Sequence, residues 1–163
     1  MPITIRNATK VDSHNLTPLI NDFVRFMYGF EVEEWGEQTP PHGSLIAENM
    51  FAPDLAVQTL VAEDDQGRII GFLCYHLTFW VEDNSPGGFV TAISVARNQR
   101  QKGVGQALLE QATENVSKRG GEHVMISVHR KNEKAVEFYK AMGGDFYTAE
   151  RLILMPTKKP EDT

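Results

Sequence analysis

The chain has little of what several protein classes require. Among its 163 residues there is one cysteine, Cys74, which excludes an internal disulfide and lies in an apolar run typical of a buried structural thiol. The five histidines have no metal-ligand spacing, so we expect no metal site. No apolar run approaches the ~20 residues that a membrane span needs. With no signal peptide visible at Met1-Pro2-Ile3, we expect a cytoplasmic protein that binds no membrane.

Positive charge is also scarce. The 16 Lys and Arg against 22 Asp and Glu give a net charge of −6, which argues against nucleic-acid binding because such affinity rests on neutralising many phosphates. Many basic residues nevertheless cluster around two segments: Arg97, Arg100, Lys102, Arg130, Lys131, Lys134 and Lys140. This local charge favours a small anionic ligand.

The hydrophobic pattern predicts one α/β domain over residues 1–155 and a flexible tail over 156–163. A hydrophobic fraction of 41% is enough for a core. Periodicity and turn residues predict strands at 3–6, 59–63, 68–80, 89–95, 124–128, 146–147 and 151–155, and helices at 13–30, from 44 to before 53, from 104, and at 132–143. Ser44 is expected to cap the short helix, Pro18 fits only a first helical turn, and residues 31–43 are expected to form a loop.

Residues Arg100–Leu109 predict a basic, glycine-spaced turn that follows a predicted strand and runs straight into an amphipathic helix. Gly103 and Gly105 remove side chains where an anion must touch backbone, and the first N–H groups of a helix lack helical partners. Arg100 and Lys102 add charge. The spacing matches neither the Walker pattern nor the three-glycine dinucleotide fingerprint. The turn therefore predicts a phosphate-binding site of another kind.

The turn contains Arg100-x-x-Gly103-x-Gly105, and a later segment reads Asn132-x-x-Ala135-x-x-Phe138-Tyr139-x-x-x-Gly143. The first looks like the coenzyme A pyrophosphate motif of the GNAT superfamily of N-acetyltransferases, and the second is similar to a later motif of the same superfamily. Asn132 is also a good helix N-cap, and Gly143-Gly144 a left-handed stop.

The resemblance implies a mixed, mostly antiparallel sheet with helices on both faces, splayed between strands 4 and 5, where coenzyme A enters. It implies acetyl-CoA as the acyl donor for a transferase that acylates amines. The coenzyme-binding residues it implies are Ile93, Ser94, Val95, Arg100, Gln101, Lys102, Gly103, Val104, Gly105, Gln106, Asn132, Ala135, Phe138 and Tyr139.

The same resemblance implies catalytic roles. Tyr139 matches the tyrosine that protonates the leaving sulfur, and a backbone N–H of the fourth strand serves the carbonyl. The family often has a glutamate on that strand, but this chain has Thr91-Ala92 there. Some group must take the amine proton, and His76 is our candidate base, with Glu82 or a glutamate of the 31–43 loop as alternatives.

The acceptor is predicted to be a small cationic amine. In the family the first helices and their loop line the acceptor cleft, where this chain has Glu31, Glu34 and Trp35; we add Thr91 as a substrate residue. Residues 71–76 faintly resemble the diamine and polyamine acetyltransferase branch. A protein lysine, an N-terminal amine or an aminoglycoside stays open, as do a non-catalytic acyl-CoA sensor, a nucleotide-binding protein of unrelated fold, and a homodimer through edge strands.

Overall fold

The structure, a computed structural model, describes residues 2–35, 39–148, 153 and 155, with the backbone alone for 31–35. In this part of the chain the elements are β1 (Thr4–Asn7), α1 (Ser13–Trp35), α2 (Gly43–Asn49), β2 (Val57–Glu63), β3 (Ile69–Trp80), β4 (Ser85–Val95), α3 (Val104–Ser117), β5 (Val124–Ile126) and α4 (Glu133–Ala141). The chain forms two compact units, Met1–Asn132 and Glu133–Thr163. The division into a domain over 1–155 and a tail over 156–163 stays a prediction, because 156–163 lie outside the described residues.

The first unit contains a five-stranded sheet in the order β1-β2-β3-β4-β5. All neighbours are antiparallel except β4 and β5, which are parallel. β5 pairs only with Gly88–Val90, and the last bond runs from the Ser127 N–H to the Val90 carbonyl at 3.0 Å. Beyond Val90, the described residues place no strand beside this edge of β4. The predicted mixed, mostly antiparallel sheet, splayed between strands 4 and 5, is confirmed.

One face of the sheet is covered by α1 and α2. The apolar residues Leu16, Ile20 and Val24 recur every four positions, so they form one stripe of α1 and pack in a cluster with Val61 and Phe72. Burial of this stripe against strands anchors the helix on the sheet. α1 is therefore fixed by its buried face.

The other face is covered by α3. Val104, Leu108 and Ala112 are almost fully buried and again lie on one helical stripe. A Cβ added at Gly71 would lie 3.1 Å from Val104 Cγ1 and 3.2 Å from Leu108 Cδ1, so glycine on β3 permits the close approach of helix and sheet. This contact holds the beginning of α3 near the ends of the central strands.

Three local predictions were wrong. The predicted loop over 31–43 is helical over its first five residues, because α1 continues to Trp35, and Pro18 lies inside α1 rather than in its first turn. Packing of the apolar stripe on both sides of Pro18 outweighs the loss of one backbone hydrogen bond. α2 is capped by His42, whose Nδ1 accepts the Ser44 N–H at 3.2 Å, and not by Ser44.

The carboxyl-terminal strands were predicted from short apolar runs. Residues 146–147 form no strand, and Phe146 and Tyr147 are exposed. A two-residue apolar run carries too little periodicity to specify pairing. Of the second run, 151–155, all but 153 and 155 lie outside the described residues.

Candidate active site

The turn between β4 and α3 leaves backbone donors open at the start of a helix. Gln101 and Gly103 have φ of 60° and 82°, and no atom lies within 4 Å of a Cβ built at Gly103. Gly103 is the N-cap of α3 and makes no side-chain cap. The first helical bond runs from the Ala107 N–H to the Gly103 carbonyl at 2.9 Å. The N–H groups of residues 104–106 therefore precede the helical ladder and, with the helix dipole, favour an anion.

Two basic side chains of this turn are exposed and positioned by local hydrogen bonds. Arg100 Nε donates to the Val95 carbonyl at 3.1 Å, and Lys102 Nζ donates to Gln99 Oε1 at 3.2 Å. Both bonds leave further N–H groups on the same cations, since a guanidinium has five and an ammonium three. The turn thus combines fixed backbone donors with two adjacent positive charges, which suits a diphosphate.

The open edge of β4 exposes backbone groups of specific residues. The Ala96 N–H donates to the Ile70 carbonyl at 2.9 Å, so alternate residues of β4, including Ser94, direct their backbone groups to β3. Ile93 and Val95 alternate with these residues, so their backbone groups face the opposite edge of β4, which β5 leaves open. The sequence prediction grouped Ile93, Ser94 and Val95, but the pairing separates Ser94 from the other two.

A β-bulge at Thr91 determines which groups are open. Cys74 pairs with Ala92 and Tyr75 pairs with Val90, so Thr91 is one extra residue on β4. Without the extra residue, strict alternation would direct the backbone groups of Val90, Ala92 and Ser94 toward the same neighbouring strand. With it, the Val90 carbonyl binds β5 while Ile93 and Val95 face the gap. No signal in the sequence specifies this bulge, because it arises from pairing with β3.

α1 crosses the sheet beside the same gap. Asp22 Oδ2 lies 3.9 Å from Nε of Arg97, which follows β4, and the Phe30 ring stacks on His129, which follows β5, with centroids 4.8 Å apart and planes 13° apart. Phe26 contacts Phe30 edge-on, also with centroids 4.8 Å apart. The sequence signal for this stripe is the spacing of Asp22, Phe26 and Phe30 at i, i+4 and i+8.

The predicted base and the predicted acceptor-side residues lie at different distances from the gap or outside the described side chains. His76 is on β3 and pairs with Phe89 and Val57, so β4 lies between it and the gap. Thr91 is exposed at the bulge. The backbone of Glu31, Glu34 and Trp35 belongs to the end of α1, and their side chains lie outside the described residues.

The second motif begins at the end of the first unit and forms α4 in the second. The Asn132 N–H donates to the His129 carbonyl at 2.8 Å, immediately before α4, which carries Ala135, Phe138 and Tyr139. The stop predicted at Gly143-Gly144 is confirmed: Gly143 has a φ of 90°, and the Gly144 N–H donates to the Tyr139 carbonyl at 3.0 Å.

The Tyr139 phenol is a weak acid in this environment. Burial raises its pKa from 10.0 to about 12. The hydroxyl therefore stays protonated at neutral pH and can donate a hydrogen bond. Full proton transfer to a thiolate, whose ordinary pKa is ~8.5, is more uphill than for an exposed tyrosine.

Comparison with known proteins decides the family. The sequence model of the Acetyltransferase (GNAT) family matches residues 19–144. The chain belongs to this family. GNAT members generally transfer an acyl group from acetyl-CoA to an amine. The predicted superfamily is thereby confirmed; its diamine and polyamine branch stays a prediction.

Two curated relatives match this chain over part of its length. The mycothiol acetyltransferase of Propionibacterium freudenreichii subsp. shermanii is 34% identical over 64% of this chain and 34% of its own length. The N-terminal acetyltransferase A complex catalytic subunit ard1 of Schizosaccharomyces pombe is 28% identical over 49% of this chain and 46% of its own length. This GNAT chain thus matches less than half the length of either curated relative.

Solved structures agree on the fold. A ribosomal-protein-alanine N-acetyltransferase from Brucella melitensis biovar Abortus 2308 superposes with a TM-score of 0.75 at 19% identity, covering 94% of this chain and 100% of that one. At this identity the likeness concerns the GNAT fold alone.

The described residues contain neither a membrane-spanning helix nor a cluster of metal ligands. None of the described helices is both long and apolar enough to cross a bilayer. Within the same residues, no three His, Cys, Asp or Glu side chains are grouped as metal ligands.

Proposed function

We propose that the chain transfers an acetyl group from acetyl-CoA to a small cationic primary amine, by direct attack within a ternary complex. The observation that carries the proposal is the uncapped start of α3 beside the open edge of β4. Diphosphate oxygens fit the N–H groups of residues 101–106, with Arg100 and Lys102 as counter-charges. The GNAT family supplies the general reaction, and the cationic acceptor is our extension of it.

The backbone groups of Ile93 and Val95 are the proposed partners for the acyl end. As the amine nitrogen attacks the thioester carbonyl carbon, a C–N bond forms and negative charge develops on the carbonyl oxygen. An N–H of the open edge stabilises that charge, because a preorganised donor acts most strongly where charge develops. The Ser94 N–H points to β3, so Ser94 contributes packing to the proposed site rather than a donor.

Two proton transfers complete the reaction. The C–S bond breaks and the sulfur leaves, with Tyr139 as the proposed hydrogen-bond donor or acid. The acceptor nitrogen must lose a proton before its lone pair can attack, and that proton goes to a base, for which His76 stays our proposal. Because β4 separates His76 from the gap, that transfer would have to pass through water. Asn132, Ala135 and Phe138 are proposed to contact coenzyme A beside Tyr139.

The acceptor is proposed to enter from the side of α1. Glu31, Glu34, Trp35 and Thr91 remain the proposed acceptor-side residues, and the faint resemblance of residues 71–76 to the diamine and polyamine branch supports a cationic acceptor. A protein N-terminal amine is the second candidate, since the relative from S. pombe is named as an N-terminal acetyltransferase subunit. A cytoplasmic location and a homodimer also stay proposals.

The test is release of free thiol from acetyl-CoA with a panel of amines: spermidine, lysine peptides, peptides with free N-termini and aminoglycosides. We expect turnover with the small polyamine. Turnover only with peptides that have free N-termini would contradict a small-amine acceptor and support a protein N-terminal amine as the acceptor. Calorimetric binding of acetyl-CoA without thiol release for any amine would contradict an enzymatic role and favour an acyl-CoA-binding regulator.

A further inference from the structure

One stripe of α1 runs beside the gap between β4 and β5. Asp22, Phe26 and Phe30 are spaced four residues apart, so they lie on one face of the helix, about 6 Å from one to the next. The contact of Asp22 with Arg97 places the first residue at the end of β4, and the stacking of Phe30 on His129 places the last beyond β5. Phe26 lies between these two contacts and therefore opposite the gap.

The side chains of this stripe are available to a ligand. Phe26 is 51% exposed although it contacts Phe30, so much of its ring is uncovered. The Asp22 side chain is 41% exposed, and its 3.9 Å separation from Arg97 is an ion pair without a direct hydrogen bond. An exposed pair at this distance is weak, and a ligand can compete for the carboxylate.

The chemistry of the stripe selects one kind of occupant. An aromatic face attracts a cation within about 6 Å of its centroid, and a neighbouring carboxylate supplies the opposite charge. A ligand with an apolar chain alone would bury area on Phe26 but leave Asp22 unused. The stripe therefore fits an organic cation with a methylene chain.

We propose that Phe26 and Asp22 determine acceptor specificity by binding a second, non-reacting ammonium of the acceptor amine. This inference rests on the proposed function and names two residues that read the acceptor. Phe26 contacts the distal ammonium through its ring, and Asp22 provides the counter-charge. Phe30 and His129 are positioning residues, since their stacking fixes the end of the stripe over the segment that follows β5.

The experiment compares 1,4-diaminobutane with n-pentylamine, which has a methyl group in place of the second ammonium. kcat/KM with acetyl-CoA is measured for the unmodified protein and for Phe26→Leu and Asp22→Asn. Leucine keeps apolar area at position 26 but removes the aromatic face. Phe79→Leu is the matched control, because Phe79 is 58% exposed at the far end of β3.

We expect a higher kcat/KM for the diamine, and a loss of roughly 2- to 30-fold for the diamine alone in each α1 variant. The change should appear in KM rather than kcat, with pentylamine and the Phe79→Leu control unaffected. Equal losses for both amines, or an unchanged preference in both α1 variants, would overturn the inference.

A binding measurement separates this inference from the proposed function. Both amines are titrated into the complex with coenzyme A, which requires no turnover, and coenzyme A affinity checks that each variant is folded. Preferential diamine binding that depends on Phe26, without thiol release, would support the inference and contradict the function. Thiol release with no discrimination between the two amines would support the proposed function and contradict the inference about Phe26 and Asp22.

Discussion

At the scale of single residues, Tyr139 is the side chain on which the proposed chemical step depends most. Because burial raises its pKa to about 12, the phenol is protonated throughout the range in which the protein is handled. Tyr139→Phe should lower kcat by about 10²-fold or more, as expected for a lost acid or donor, while coenzyme A affinity changes little. Steady-state kinetics and calorimetry measure the two quantities.

The pH profile of the same variant is a further check. Because the pKa of the Tyr139 phenol is about 12, its deprotonation causes no loss of activity below about pH 11. Tyr139→Phe should therefore lower the rate but leave the shape of the pH–rate profile below that pH unchanged. An unaltered kcat across the whole range would contradict any catalytic role for the phenol.

A second residue-scale prediction concerns stability. Asp12 is buried and accepts hydrogen bonds from Arg6 at 2.8 and 2.9 Å, and its Oδ2 also accepts the Thr9 N–H at 2.8 Å. Asp12→Asn should lower the free energy of unfolding at neutral pH by about 1–2 kcal/mol, because the amide carries no negative charge and replaces one acceptor oxygen with an N–H donor. Urea unfolding at several pH values measures the effect.

The hydrogen bonds from Arg6 lower the pKa of Asp12 from 3.8 to about 2. A depressed carboxyl pKa stabilises the fold fully above the unfolded value, and the contribution disappears as pH falls through the folded one. The difference in the free energy of unfolding between the natural chain and Asp12→Asn should therefore shrink as the pH falls from 4 to 2. The exposed Asp54→Asn serves as control, and a difference independent of pH would contradict this account.

At the scale of elements, β4 and α3 differ in how far local sequence could predict them. The start of α3 was predictable, because Gly103, the basic residues and the apolar stripe are all local signals. The bulge at Thr91 was not, since it exists only through the pairing of Cys74 and Tyr75 with β4. The continuation of α1 to Trp35 was also missed, because glutamates favour a helix without adding an apolar period.

The open edge of β4 leads to a prediction about its backbone. Ile93→Pro removes an N–H that faces the gap but leaves the bonds of β4 to β3 intact. We expect kcat to fall by about 10²-fold or more, the usual effect of losing one oxyanion donor. Ile93→Ala is the matched control, because it shortens the same side chain and keeps the N–H. Similar kcat values for the two variants would show that this N–H does not serve the carbonyl.

At the scale of the whole molecule, the fold and the family were more predictable than the acceptor. One motif lies in the turn before α3 and its first residues, the other on α4 and the residues beside it; local sequence encodes both, and together they indicated the GNAT fold. The acceptor side that we propose is instead formed by the stripe of α1, the bulge on β4 and His129 after β5. Those residues are distant in sequence, so only the packed structure brings Phe30 and His129 together.

The central claim is that the turn before α3 binds the diphosphate of coenzyme A. Calorimetric titration of coenzyme A into the natural chain, Gly103→Asp and Gly120→Asp tests it directly. Gly103 and Gly120 have φ of 82° and 84°, and neither has an atom within 4 Å of a built Cβ, so the two variants carry matched backbone strain. Only the first places a carboxylate beside the proposed diphosphate. The account predicts that Gly103→Asp weakens binding by about 30-fold or more, equivalent to roughly 2 kcal/mol, while Gly120→Asp binds like the natural chain. Absence of heat with millimolar coenzyme A, or equal affinities for the two variants, would contradict it.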